Sequence, residues 1–98
     1  MAPEWSEKYQ GKFDGGWDML REETLARQKA LGVVPPETEL TPRHDEIPGW
    51  DELSDDLKTV AARQMEVYAG FLEHTDVQVG KVVDALEEID ILDDTLII

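Results

Sequence analysis

The sequence predicts a mainly α-helical chain. It reads as a short N-terminal helix, a helix over about 16–31, a Pro-rich loop over 33–53, a long helix over about 54–89 and the start of a strand at 95–98. Three observations carry this reading. Apolar residues recur at helical spacing from Leu57 to Ile89, a shorter stripe runs from Trp17 to Leu31, and Pro35, Pro36, Pro42 and Pro48 interrupt the chain between them.

In "MAPEWSEKYQGKFDGG", Pro3 suits a first helical turn, Glu4 and Glu7 complement the helix dipole, and Gly11 supplies an end. Trp5 and Tyr9, four apart, then share one face and are expected to pack against neighbours rather than to form a ligand platform. Asp14 is expected to cap the next helix, in which Trp17, Leu20, Thr24, Gln28 and Leu31 fall on one stripe with Leu25 beside it. Basic residues gather near its end, and Gly32 follows as a terminus signal.

The stretch "VVPPETELTPRHDEIPGWDEL" shows no sustained period, and Pro35-Pro36 favours extended backbone. A loop of this length is functional, linker-like, or part of something larger, and it must lie against a surface. Ser54 is a good N-cap, followed by Asp55 and Asp56 in the first turn. The stripe of the long helix runs through Leu57, Ala61, Met65, Tyr68, Leu72, Thr75, Val79, Val82, Val83, Leu86 and Ile89. Gly70 and Gly80 each weaken that helix by about 1 kcal/mol relative to Ala. A glycine so placed marks the close approach of a neighbour or a bend, expected near Gly70 or Thr75.

"DILDDT" reads as a turn and "TLII" as the opening of a buried strand. A lone strand is not stable, and the second helix is too short to cover the long one. The sequence therefore reads as part of a core, with Trp17, Tyr68 and Phe71 as its expected buried anchors.

Bulk properties narrow the function. The chain has 98 residues, 23 acidic against 9 basic, and a net charge of −14. Neutralising phosphates requires clustered Lys and Arg, so nucleic acid and anionic membrane surfaces are not expected partners. The charge reads as a solvated, self-repelling surface. With no cysteine, neither disulfides nor thiolate chemistry is available, and the compartment stays open. No stretch is long and apolar enough to span a membrane, and the first residues do not read as a signal peptide.

Residues able to carry chemistry are few. His44 lies in the loop, and His74 in the long helix has no second ligand at i+4. Asp90, Asp93 and Asp94, with Glu87 and Glu88 before them, lack the alternating ligands and central glycine of a calcium loop and read as a solvated connection. There is no phosphate loop and no nucleophile motif. Catalytic, cofactor-binding and metal residues are all expected to be absent from this chain.

Four stretches in order resemble the middle of bacterial type I arylsulfatases: "APEWSEKYQGKFDGGWDMLREETLARQKALGVVP", "ELTPR", "W-x-x-L", and "ARQMEVYAGFLEHTDVQVGKVVDALEEIDILDDTLII". The resemblance covers essentially the whole chain. It implies an excerpt of an α/β alkaline-phosphatase-like domain, with residues 1–98 as an incomplete internal segment of the catalytic domain. Sulfatases of this kind hydrolyse sulfate esters with a formylglycine, made within Cys/Ser-x-Pro-x-Arg, and a bound calcium ion.

By the same resemblance, none of that machinery falls on residues of this chain. The formylglycine motif, the early Asp ligands and the Lys and His residues around the sulfate belong upstream. The Asp-Asn ligands belong to a Ser-Asp-Asn-Gly motif a few residues downstream. "TLII" is then expected to be the first half of the strand that delivers them, and "LDDT" stands where relatives often have Leu-Asp-Asn-Thr. The long helix is expected to pack on the central sheet, with the remainder of the sulfatase domain as its partner. The sulfate ester is a substrate of the parent only, and the segment alone is expected to be inactive. The alternative is an independent small acidic helical interaction protein.

Overall fold

The structure is a computed structural model describing residues 2–98. Its α-helices are α1 (Pro3–Glu7), α2 (Gly16–Ala30) and α3 (Asp55–Glu88), with short 3₁₀ turns at Trp50–Glu52 and Leu92–Asp94. The mainly helical class is as expected, and each predicted helix forms within a few residues of its expected bounds. α3 runs without interruption through Gly70 and Thr75.

The helix ends follow local chemistry. Ser54 Oγ accepts from the Leu57 N–H at 3.4 Å, so one of the four free amides at the start of α3 has a partner. At the end of α2, Gly32 takes φ +72°, its N–H donates to the Lys29 carbonyl, and Val33 N–H donates to that of Gln28. This paired pattern satisfies the last carbonyls and needs a left-handed residue, which glycine supplies without strain. α3 ends the same way with Asp90 at φ 59° in the glycine position, donating to Glu87 while Ile91 donates to Leu86. "DILDDT" is thus a helix terminator as well as a turn. Asp14 does not cap α2 as expected, because Gly15 occupies the N-cap position without a side-chain bond.

α1 lies across α3, and the two backbones meet at Gly70. A Cβ built there would stand 2.5 Å from the Trp5 carbonyl oxygen, so the close approach expected of this glycine is real. Gly80 has open space around it and makes no such contact. The Pro-rich loop is held by α2. Arg21 donates to the Thr41 carbonyl, Trp17 Nε1 to the Pro48 carbonyl at 3.2 Å, and Arg43 to Asp18 at 3.1 Å. Trp50 closes this junction, its ring 4.9 Å from that of Trp17 and edge-on to it. Gly16 is at φ +80°, and an added Cβ would fall 2.1 Å from the Trp50 indole.

The expected strand at 95–98 does not form. Thr95 is extended, with φ −109° and ψ 125°, but these residues have no ladder partner among the described residues. Extended backbone becomes a strand only when another strand takes up its amides. The expected anchors are also displaced: Tyr68 and Phe71 are 62% and 55% exposed, and Trp17 is half-buried. Among the described residues, the buried apolar ones are Trp50 and Ala62.

Shape reports the same shortage of core. The radius of gyration is 18.3 Å, against about 13 Å for a compact domain of this length. At roughly 100° per residue, the side of α3 facing away from α1 forms a mostly apolar arc of about 140°, interrupted by Gln64, Thr75 and Gln78. From Leu57 to Ile89 that arc contains no charged residue. Leu57, Val60, Tyr68, Phe71, Leu72, Val79 and Val82 on it are all exposed.

Candidate functional site

Polar side chains converge at three places. The first lies beneath the α1–α3 crossing. Glu66 is 6% exposed, and its carboxylate accepts from the Gly11 N–H at 2.8 Å and from Arg63 at 2.7 Å. Arg63 also donates to Ser6 Oγ at 3.2 Å, and Ser6 donates to the Pro3 carbonyl at 3.0 Å. Gly11 presents its amide from a backbone at φ +75°. The Arg63 guanidinium and the Gly11 amide hold the Glu66 carboxyl below the usual carboxylate range.

An open cleft of about 870 Å³ lies over this cluster, with Glu7, Asp14, Glu66, Lys58 and Arg63 and the edge of Trp50 on its walls. Three acids face two bases, so the cleft has no strong preference for either sign of ligand charge. The donors and acceptors at its floor are already paired with each other. Buried polar groups satisfied in this way fix one arrangement of the elements that carry them.

The second lies about two turns along α3, where Lys8 bridges to Glu73 at 2.8 Å and lies 4.4 Å over the Trp5 ring. The hydrogen bond from Lys8 holds Glu73 low, while Glu73 pushes the Tyr9 phenol above its usual range. The third convergence is Asp18, which accepts from the Trp50 N–H at 2.8 Å and from Arg43. Those bonds, the Trp50 amide first, hold its carboxyl low.

The residues weighed from sequence are separate from these clusters or serve packing. His74 sets its ring against Trp5, 5.1 Å between centroids and nearly perpendicular. His44 Nδ1 accepts from the Glu46 amide at 3.2 Å inside its own loop. Tyr9 and Phe13 stack at 6.4 Å, and Trp5 packs on α3, the packing role expected of these aromatics. Asp90 terminates α3.

The calcium implied by the family resemblance finds no fitting donor set here. The best-buried carboxylate, Glu66, already accepts from N–H donors, as does Asp18, and no group of three or more His, Asp or Glu among the described residues is placed to hold a metal.

The sequence does not single out Glu66 or Arg63, and it marks Gly11 only as a helix end. The available signal was an Arg–Glu pair at i,i+3 on the side of the helix that also carries Ala62 and Gly70, opposite the apolar arc. The partner from Gly11 lies 55 residues away in the chain and has no sequence signal.

Two comparisons bear on identity. No protein-family model matches the chain. It is 40% identical over 96 residues to an uncharacterized sulfatase of Schizosaccharomyces pombe, a match spanning 97% of this chain and 17% of that protein. It is 28% identical over 85 residues to an arylsulfatase of Klebsiella aerogenes, covering 87% of this chain and 18% of the relative. The chain thus spans less than a fifth of the length of either curated relative. In both cases the similarity runs along most of this chain and falls on a protein described as a sulfatase.

Proposed function

We propose that the chain is an internal segment of an arylsulfatase catalytic domain, contributing architecture to sulfate-ester hydrolysis and no reacting group. The observation that carries this reading is the similarity itself, extended over 97% of the chain yet only 17% of the relative. In this reading α3 packs on the central sheet of an alkaline-phosphatase-like domain and leads, through the turn at Leu92–Asp94, into the strand that bears metal ligands. Calcium and formylglycine belong to the parent, and its remaining chain is this segment's partner. The polar clusters at Glu66 and Asp18 hold α1, the loop and α2 in place around α3. In this reading the chain alone is inactive, because the formylglycine and metal ligands that the resemblance implies do not fall on its residues.

The test begins with the coding sequence on both sides. A frame that continues into Ser-Asp-Asn-Gly after Ile98, with Cys/Ser-x-Pro-x-Arg upstream, supports the reading. The intact product should then release sulfate from a chromogenic aryl sulfate while the 98-residue chain releases none. A frame bounded at Met1 and Ile98 overturns it and leaves the small acidic interaction protein as the account.

A further inference from the structure

The Glu66 and Asp18 clusters share one plan. In each, one carboxylate oxygen accepts from an arginine and the other from a backbone amide of a distant segment. Glu66 Oε2 takes Arg63 at 2.7 Å, and its Oε1 takes the Gly11 N–H at 2.8 Å. Asp18 Oδ1 takes Arg43 at 3.1 Å, and its Oδ2 takes the Trp50 N–H at 2.8 Å. Each arginine is tied by a second nitrogen, Arg63 to Ser6 Oγ and Arg43 Nε to the Ile47 carbonyl. The arrangement is also reciprocal along the chain. Residues 11–18 supply an amide at one end and a carboxylate at the other, and residues 50–66 supply the matching pair.

Two segments joined at both ends make a closed frame, and the cleft of about 870 Å³ is bordered by both. Gly11 and Asp14 stand on one side of it, and Trp50, Lys58, Ala62 and Glu66 on the other. Neither arm is slack. Residues 11–18 fold on themselves, the Asp14 and Gly16 amides donating to the Gly11 and Phe13 carbonyls before α2 begins. Residues 50–66 run through a 3₁₀ turn, the Ser54 cap and the first turns of α3. With both arms ordered, one closed fastening keeps the partners of the other close together. That effective concentration lowers the entropy cost of closing the second bond, so each bond strengthens the other.

We infer that the two carboxylate–amide fastenings act as one latch: the 11–18 arm closes on 50–66 as a unit, and loss of either fastening frees the other end of the cleft. This device goes beyond the sulfatase reading and does not rest on it. Two independent pins would each hold only the residues they touch.

Amide exchange in the 98-residue chain, read residue by residue by NMR, tests the latch. Glu66→Gln and Asp18→Asn keep the side-chain size but turn one acceptor oxygen into an NH₂ donor facing an N–H. Glu66→Gln should speed exchange several-fold at the Trp50 amide as well as at Gly11. Asp18→Asn should speed it several-fold at the Gly11 amide as well as at Trp50. Coupling between two sites is reciprocal, so the two cross-effects should agree within about twofold. The Val83 amide, inside α3 and remote in sequence from both fastenings, should keep its rate. Effects confined to the altered fastening, or unequal cross-effects, overturn the latch and leave two separate pins. Faster exchange at Val83 in either variant overturns it by showing general loosening instead of a local unit. Unprotected Gly11 and Trp50 amides in the unaltered chain also overturn it, because the frame then does not close.

Discussion

The two sides of α3 are built from different materials. Under α1, small residues and paired charges allow a close backbone approach, and each buried polar atom has a partner. On the far side, large apolar side chains stand in solvent with nothing opposite them. The first side is defined by geometry: a glycine, an i,i+3 ion pair and one left-handed amide donor. The second is defined only by composition, and it would accept any apolar layer of suitable shape. A polar contact surface therefore reveals its partner in a way an apolar one does not.

The largest expected effect comes from placing a charge on the apolar side. In the intact polypeptide, Phe71→Asp should cost on the order of 3–5 kcal/mol, because an unpaired charge would be buried. It should appear as loss of soluble protein or a large fall in the urea midpoint. Asp84→Asn, on the outward side, should stay within about 0.5 kcal/mol. Equal effects would erase the distinction between the two sides.

Gly70→Ala probes the side that has a partner. The added Cβ would meet the Trp5 carbonyl, which belongs to backbone and cannot rotate away. Overpacking of about 1–3 kcal/mol should outweigh a helix-propensity gain of about 1 kcal/mol. Gly80→Ala, with open space in this chain, serves as the comparison. Faster amide exchange across α1 in the Gly70 variant alone is the expected readout.

Acidification should loosen the same side. The Glu66 carboxyl is held low by Arg63 and the Gly11 amide, so its ionised form is favoured by the folded chain. That contribution is fully present above the unfolded carboxylate value of about 4.3 and is lost as pH falls through the lower folded value. Glu66→Gln should flatten this dependence in stability measurements between neutral and acidic pH. An unchanged acid limb would remove Glu66 from the account.

The smallest effect is a gain. Asp90 sits at φ 59°, where glycine is unstrained. Asp90→Gly should stabilise the end of α3 by about 1 kcal/mol or less, seen as a small rise in the midpoint.

Legibility in the sequence followed the range of the interactions. Ser54 as a cap, Gly32 as a terminator and Gly70 as a contact point were all readable, since each acts within a turn or leaves a missing Cβ. The attachment of the Pro-rich loop was not, because Trp50 and Asp18 meet across 32 residues. Glu66 resembled any other acid in a chain with 23 of them. The strand expected at 95–98 does not form and the expected anchors Tyr68 and Phe71 stand exposed, because an apolar pattern fixes neither pairing nor burial without an opposing surface.

The central claim is that this chain carries part of a core. Urea titration of the purified 98-residue chain, followed by far-UV circular dichroism, tests it most directly. The account predicts clear helical signal that declines gradually, without a sigmoidal midpoint, because little apolar surface is buried. A sharp two-state transition at low, non-associating concentration would show a complete core and contradict it.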